Sequence, residues 1–259
     1  MKTKDDLIEA IEFAKNNNIE IYIHGGGTNV LFSDSIINKL FIKINNLTIE
    51  ELTNEKLLVG AGVTWTLLNS YFKKNKIYGL EPLVGIPGTI GGAIYGNAGS
   101  FGMETSEPLI EVEYFDIKNN KFNTVNKNDL TFSYRTSSFK SEHLGVIWQS
   151  VFHVSKNAKD QKGDDVDYKN KRESSQPYGK TTGSFFKNPK GDFAGRLIQE
   201  AGLKGFKIGG ISVSEKHANF FINDGTATFE DVLLLKKHIE NVVFEKFNIK
   251  LENEVRIIQ

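Results

Sequence analysis

Cysteine is absent from this chain of 259 residues, so disulfide bonds and thiolate metal sites are excluded. No apolar run approaches the ~20 residues that a membrane-spanning helix needs. An excess of charge is missing too, because Lys+Arg and Asp+Glu both total 32. Nucleic-acid binding depends on a basic surface, so we expect no nucleic-acid partner. The first residues, Met1 to Asp6, lack the apolar stretch of a secretory signal, and we expect a cytoplasmic protein without membrane association.

Arginine is scarce. The chain has only Arg135, Arg172, Arg196 and Arg256, and every other basic residue is lysine or histidine. A planar guanidinium binds a carboxylate with two parallel hydrogen bonds, which lysine cannot do. In a lysine-rich chain each arginine therefore hints at such geometry, although chance survival on a solvated face explains each one equally well.

Apolar periodicity predicts an α+β protein. Apolar residues at helical spacing predict helices at 5–16, 65–74, 193–201 and from the capping box of Thr228 to Phe247. Shorter apolar runs predict strands at 20–24, 40–44, 57–60, 146–154, 218–222 and 251–258, and a hairpin over 109–125. The polar stretch 155–176 is interpreted as a linker or a weak, solvated helix. We therefore expect one domain at 1–155 and a second at 156–259.

The first glycine-rich stretch directly follows the strand predicted at 20–24. It contains Gly25, Gly26 and Gly27, followed by Thr28 and Asn29. Consecutive glycines allow positive φ, which we expect at Gly26, and their N–H groups can form a nest for an anion such as a pyrophosphate. The spacing is not that of a Rossmann fingerprint. A tight surface turn explains the stretch equally well.

The second glycine-rich stretch runs from Gly85 to Gly102 and includes Ile90, Gly91, Gly92, Asn97 and Gly99. So much glycine is costly in a regular element, at about 0.5–1 kcal/mol per residue relative to Ala. The interspersed apolar residues argue against a disordered linker. A backbone that winds around a flat, partly apolar ligand such as a flavin explains both features better than a plain loop does.

Three further motifs follow in order, and each contains side chains able to carry chemistry. They are the segments 132–140, with Tyr134 and Arg135, 183–189, with Ser184, Lys187 and Asn188, and 251–256, with Glu252 and Glu254. Taken singly, each motif also has a purely structural explanation. Arg135 could form a surface salt bridge, Ser184 could be a turn hydroxyl, and Glu252 or Glu254 could be a solvated carboxylate.

Together, the two glycine-rich stretches and the three motifs resemble the UDP-N-acetylenolpyruvoylglucosamine reductase family over nearly the whole chain. The resemblance implies an FAD-binding domain of the vanillyl-alcohol-oxidase type at 1–155, then an α+β substrate domain at 156–259 whose last strand returns towards the flavin. It implies non-covalent FAD, NADPH as reductant, a UDP-sugar substrate, no metal, and a monomer active in peptidoglycan precursor synthesis. FAD contacts are expected from both glycine-rich stretches, at Gly25, Gly26, Gly27, Thr28, Asn29, Ile90, Gly91, Gly92, Asn97 and Gly99.

The resemblance also implies a catalytic set. The family reduces an enolpyruvyl ether to a lactyl ether, and hydride addition leaves an enolate on the substrate carboxylate. Arg135 is expected to stabilise that charge, protonated Glu254 to donate a hydrogen bond to it, and Ser184 to protonate the α-carbon. Glu252 fits the glutamate position less well. Tyr134, Lys187, Asn188 and His217 are expected to contact the substrate, with Lys216 as an alternative to His217.

The sequence departs from the family at two places. Relatives usually carry a strand-bearing segment ahead of the first helix, and the region between Tyr134 and Ser184 is short, which favours the subtype without an extra loop over the substrate. Two alternatives follow: an inactive FAD- or nucleotide-binding module with an abbreviated domain, or a flavin oxidase. In an oxidase His24 could hold the flavin covalently, but the serine and glutamate motifs do not support that reading.

Overall fold

The computed structural model describes residues 1–259 apart from the side chain of Asp165. The helices are α1 Lys4–Asn16, α2 Trp65–Asn75, α3 Ile90–Gly96, α4 Ser138–Ser141, α5 Asp165–Ser175, α6 Ala194–Glu200 and α7 Phe229–Phe247. The strands are β1 Glu20–His24, β2 Val30–Phe32, β3 Lys39–Lys43, β4 Ile49–Thr53, β5 Lys56–Gly60, β6 Gly99–Ser100, β7 Met103–Glu104, β8 Leu109–Asp116, β9 Lys121–Asn126, β10 Phe132–Ser133, β11 Thr136–Ser137, β12 Val146–His153, β13 Lys207–Ile208, β14 Ile211–Val213, β15 Phe221–Asn223 and β16 Arg256–Ile258.

The chain divides into two compact units, each with its own apolar core. Unit 1 comprises Met1–Gly27 and Asn38–Lys169, and unit 2 comprises Thr28–Ile37 and Asn170–Gln259. The division therefore differs from the expected boundary after residue 155 in two ways. Residues 156–169 belong to unit 1, where the N–H of Lys162 donates to the buried carboxylate of Glu81 at 3.0 Å. Residues 28–37 belong to unit 2, because β2 pairs with the last strand.

Unit 1 is built on an antiparallel five-stranded sheet with the order β4-β5-β12-β8-β9, beside a parallel pair β1-β3. Its core includes Leu7 and Ile11 of α1 and Trp65 and Leu68 of α2, all fully buried. The apolar spacing that predicts these helices thus also marks the faces that they bury.

Helix α3 lies inside the second glycine-rich stretch, where the sequence predicts no regular element. Ile90, Ala93 and Ile94 are buried at helical spacing, and their burial offsets the cost of the glycines. A Cβ on Gly91 would lie 2.9 Å from the Cβ of Ala61. This glycine therefore lets α3 approach the end of β5 closely.

Unit 2 combines the antiparallel sheet β13-β14-β15 with helices α6 and α7 and the parallel pair β16-β2. Helix α7 begins at Thr228 in a capping box with Asp231, as predicted. The last strand is shorter than predicted, at Arg256–Ile258 instead of 251–258. The N–H groups of Glu254 and Val255 both donate to the carbonyl of Phe185, which interrupts the ladder before β16. The strand predicted at 218–222 is also shifted, to Phe221–Asn223.

Candidate functional site

The loop after β1 offers backbone donors that the protein does not use. Within the described part of the chain, no protein acceptor receives a hydrogen bond from the amides of Gly25, Gly26 or Gly27. A Cβ on Gly25 would lie 3.0 Å from Thr89 Oγ1, so the backbone approaches α3 closely. Positive φ occurs at Gly27 (+69°) and not at Gly26, which corrects the expectation from the sequence. Unpaired amides on a bare glycine backbone fit the pyrophosphate of FAD.

Thr28 and Asn29, which continue this loop, belong to unit 2. The side-chain amide of Asn29 donates to the carbonyl of Glu254 at 3.1 Å, and the Arg256 N–H donates to the Asn29 carbonyl at 3.1 Å. Asn29 therefore ties the start of β2 to the backbone of the proposed catalytic glutamate.

The first amides of α3 are already satisfied within the protein. Ile90 N–H donates to the Val63 carbonyl at 2.8 Å, Gly91 N–H to the Ala61 carbonyl at 2.9 Å, and Gly92 N–H to Thr89 Oγ1 at 3.4 Å. Ile90 is fully buried in the core. Unlike the amides of Gly25–Gly27, these groups are not left over for an anion, so their predicted FAD contact has to use other atoms.

Asn97 and Gly99 are two more expected FAD contacts, and both stabilise the structure of unit 1. Asn97 ends α3 with φ +44° and is fully buried. Its amide nitrogen donates to Glu104 at 2.7 Å and to the Ser133 carbonyl at 3.1 Å, and its oxygen accepts from Ser106 N–H at 3.2 Å. A Cβ on Gly99 would lie 2.9 Å from the Met103 carbonyl, so the β6-β7 hairpin needs glycine there.

Tyr134 and Arg135 form the two-residue turn of the β10-β11 hairpin in unit 1. Arg135 has φ +58°, in the left-handed region that favours glycine or asparagine. The Arg135 guanidinium carbon lies 4.8 Å from the centre of the Tyr134 ring. Tyr134 is 42% exposed, and Arg135 is half-buried. A strained backbone at a side chain with expected chemistry is a feature of functional sites.

Ser184 and Glu254 are brought together in unit 2. The segment 184–187 lies between residues 219–220 on one side and 252–254 on the other. The Glu254 N–H donates to the carbonyl of Phe185, the residue after Ser184, at 2.9 Å. Within the described residues the Ser184 hydroxyl has no protein hydrogen-bond partner. The residue is half-buried.

The side chains of unit 2 that are expected to contact the substrate each have a partner within the protein. Lys187 Nζ lies 3.2 Å from a carboxylate oxygen of Glu252, which gives this second glutamate a structural partner. Asn188 Oδ1 accepts a hydrogen bond from Ala194 N–H at the start of α6, at 3.0 Å. The Nδ1 atom of His217 accepts from Asn219 N–H at 3.2 Å, and burial lowers the pKa of this imidazole. His217 is therefore held neutral at neutral pH, while Lys216 donates to the Glu173 carbonyl at 2.6 Å.

Comparison with known proteins identifies the chain. Residues 1–119 match a family model described as an FAD binding domain, and residues 175–258 match the C-terminal domain of UDP-N-acetylenolpyruvoylglucosamine reductase. The UDP-N-acetylenolpyruvoylglucosamine reductase of Fervidobacterium nodosum is 40% identical over 254 residues, covering 97% of this chain and 82% of that protein. The Fusobacterium nucleatum subsp. nucleatum reductase is 37% identical over 261 residues, covering 100% and 91%.

The chain belongs to the UDP-N-acetylenolpyruvoylglucosamine reductase family. The crystal structure of the reductase (MurB) from Thermus caldophilus is 29% identical, with a TM-score of 0.82, over 100% of this chain and 91% of that one. These matches confirm the predicted family, the FAD-binding fold and FAD as the cofactor. No helix in the described part of the chain has the length and apolarity needed to cross a membrane.

Two residues that hold the segments of predicted catalytic residues were not themselves predicted from the sequence. The side chain of Asn219 accepts from Phe186 N–H at 2.9 Å and donates to the Phe186 carbonyl at 2.7 Å, which secures the segment carrying Ser184. The ammonium of Lys140 donates to the carbonyl of Arg135 at 2.9 Å. An isolated asparagine or lysine gives no signal in the sequence, because its partner is a backbone group made close only by folding.

Proposed function

We propose that this protein reduces the enolpyruvyl ether of UDP-N-acetylglucosamine to the lactyl ether, producing UDP-N-acetylmuramate for peptidoglycan. The observation that carries the proposal is the pairing of the Ser184 and Glu254 segments, with the Ser184 hydroxyl left without a protein partner. A hydroxyl without a protein partner suits the delivery of a proton to carbon. Unit 2 is then the substrate unit, and unit 1, with Gly25–Gly27, is the FAD unit.

Ser184 is the proposed proton donor. A serine hydroxyl is a weak acid, but an enolate carbon is basic enough to accept its proton, so the position of the donor matters first. Gly183, at φ +81°, turns the chain just before Ser184, and Asn219 secures the following Phe186 on both backbone groups. These contacts hold the backbone on either side of the hydroxyl.

Glu254 is the proposed hydrogen-bond donor to the enolate, which requires that it carry a proton. Its backbone is held on both faces, by Phe185 through its N–H and by Asn29 through its carbonyl. The carboxyl group thus starts from a fixed backbone.

Arg135 is the proposed partner of the substrate carboxylate. Its planar guanidinium can bind both carboxylate oxygens, so it stabilises the negative charge that develops there. Tyr134, whose ring lies beside the guanidinium, is proposed to contact the substrate as well. Lys187, Asn188 and His217 remain candidates for contacts with the uridine diphosphate.

FAD fits unit 1 because the amides of Gly25, Gly26 and Gly27 are available and their backbone has no side chains to exclude the phosphates. Bound FAD, reduced by NADPH, would supply the hydride for the β-carbon of the substrate. The monomeric state, the cytoplasmic location and the absence of a nucleic-acid partner stay predictions.

Absorbance spectroscopy of the purified protein under anaerobic conditions tests the proposal. We expect a flavin band that NADPH bleaches and that UDP-N-acetylglucosamine enolpyruvate then restores. UDP-N-acetylglucosamine, which lacks the double bond, is the control and should restore nothing. A flavin band that NADPH does not bleach would leave a binding module and remove the reductase proposal.

A further inference from the structure

The Tyr134–Arg135 turn adopts a backbone conformation that its own sequence disfavours. A left-handed residue with a Cβ costs about 1–2 kcal/mol, and Arg135 is neither glycine nor asparagine. Such a conformation persists only when surrounding contacts over-determine it. The contacts around this turn therefore decide where the Arg135 guanidinium lies.

Two hydrogen bonds fix the base of the turn to the end of α3. Asn97 donates to the carbonyl of Ser133, on β10, and the Ser137 hydroxyl, on β11, donates to the carbonyl of Tyr95 at 2.8 Å. Asn97 and Ser137 are both fully buried, so water does not compete for these bonds. Both strands of the hairpin are thus held, but neither bond reaches the turn itself.

Lys140 reaches the turn. Its Nζ donates to the carbonyl of Arg135 itself at 2.9 Å, and the ammonium charge strengthens this bond. Lys140 starts from a rigid base, because the neighbouring Phe139 is 1% exposed. Ser138, also in α4, exchanges backbone and hydroxyl hydrogen bonds with Thr131. Lys140 is half-buried. Its hydrogen bond is made to the left-handed residue itself, so it restrains the peptide whose conformation needs support.

We propose that Lys140 is a positioning residue, which holds the left-handed peptide of Arg135 and thereby aims the guanidinium at the substrate carboxylate. This inference rests on the proposed role of Arg135 in the reductase reaction. It predicts that Lys140 acts through Arg135 and only in the half-reaction in which the carboxylate is present.

Stopped-flow absorbance on the FAD-loaded enzyme, with each half-reaction followed separately, tests the inference by a double-mutant cycle. We expect Lys140→Met to slow flavin re-oxidation by substrate about tenfold and to leave reduction by NADPH nearly unchanged. Lys140→Arg, which keeps a charged donor, should recover most of the rate. In an Arg135→Ala background, Lys140→Met should cost less than about twofold more, because the group that it positions is gone.

Lys15→Met is the matched control, because Lys15 Nζ also donates to a backbone carbonyl in unit 1, that of Ile117, at 2.6 Å. It should leave both half-reactions unchanged. Full loss from Lys140→Met in the Arg135→Ala background, or equal slowing of both half-reactions, would overturn the positioning role. If Arg135→Ala alone left re-oxidation unchanged, the proposed role of Arg135 would fall, and the inference with it. A Lys140→Met enzyme with the parent's rates would remove the inference alone.

Discussion

Replacement of Gly27 by alanine should weaken FAD binding more than it destabilises the fold. Gly27 has φ +69°, and an added Cβ would lie 2.9 Å from Cε1 of the His24 ring. A residue with a Cβ pays about 1–2 kcal/mol in this conformation. The described structure contains no protein acceptor for the amides of Gly25–Gly27, so no hydrogen bond from these amides holds the loop in its strained conformation when FAD is absent. We expect the loop of the variant to relax in the flavin-free protein. The strain then lowers the free energy of FAD binding and leaves the stability of the fold nearly unchanged.

The expected rise in the FAD dissociation constant follows from that cost. Since 1.4 kcal/mol is a factor of ten, about 1–2 kcal/mol corresponds to a rise of about 5- to 30-fold. The steric contact with His24 adds to it, and a valine at the same position should lose more. Titration of the flavin-free protein with FAD, followed by flavin fluorescence, measures this change directly. Thermal unfolding of the flavin-free variant should differ little from that of the parent.

Gly202→Ala provides the matched control. Gly202 has φ +79° and no atom within 4 Å of an added Cβ. Unlike Gly27, it is held in a helix-ending turn, where its N–H donates to the Gln199 carbonyl at 2.9 Å. Its strain should therefore appear as lower thermal stability with unchanged FAD affinity. A Gly27→Ala protein that binds FAD within about twofold of the parent would refute the pyrophosphate nest.

Three further predictions concern chemistry, cofactor attachment and pH. Ser184→Ala should leave flavin reduction by NADPH unchanged and slow re-oxidation by substrate about 10²–10⁴-fold in stopped-flow measurements, with partial recovery in Ser184→Cys; slowing of the NADPH step alone would exclude Ser184 as the proton donor. Acid precipitation should release all flavin colour to the supernatant, and colour in the pellet would support a covalent bond to His24. A hydrogen bond from the Arg196 side chain, and a weaker effect from the Phe193 N–H, lower the pKa of Asp192 from 3.8 to about 2. The ionised carboxylate therefore stabilises the folded state above pH 3.8, and this stabilisation is lost as the pH falls towards 2. In urea unfolding, the deficit of Arg196→Ala should therefore shrink between neutral pH and about pH 3, and a constant deficit would assign the role of Arg196 to packing.

Features written into neighbouring residues could be predicted from the sequence. The capping box of Thr228 and Asp231, with Val232, Leu235 and Ile239 at helical spacing, defines α7 without reference to the rest of the chain. The Ser184 and Arg135 motifs, read together with the glycine-rich stretches, likewise identified the family. In each of these cases the information lies within one short segment or in the order of several.

Features that depend on close approach between distant segments could not be predicted. Helix α3 contains glycines because it packs closely against Ala61. A Cβ on Gly91 would lie too near the Cβ of Ala61, at 2.9 Å. The positive φ of Arg135 rests on Lys140, and the placement of Glu254 beside Phe185 depends on pairing across unit 2. Each is decided by backbone carbonyls and amides, which every residue carries and which no side-chain pattern records. Sequence therefore determined which groups can act in this protein, and tertiary structure decided which backbone groups hold them in place.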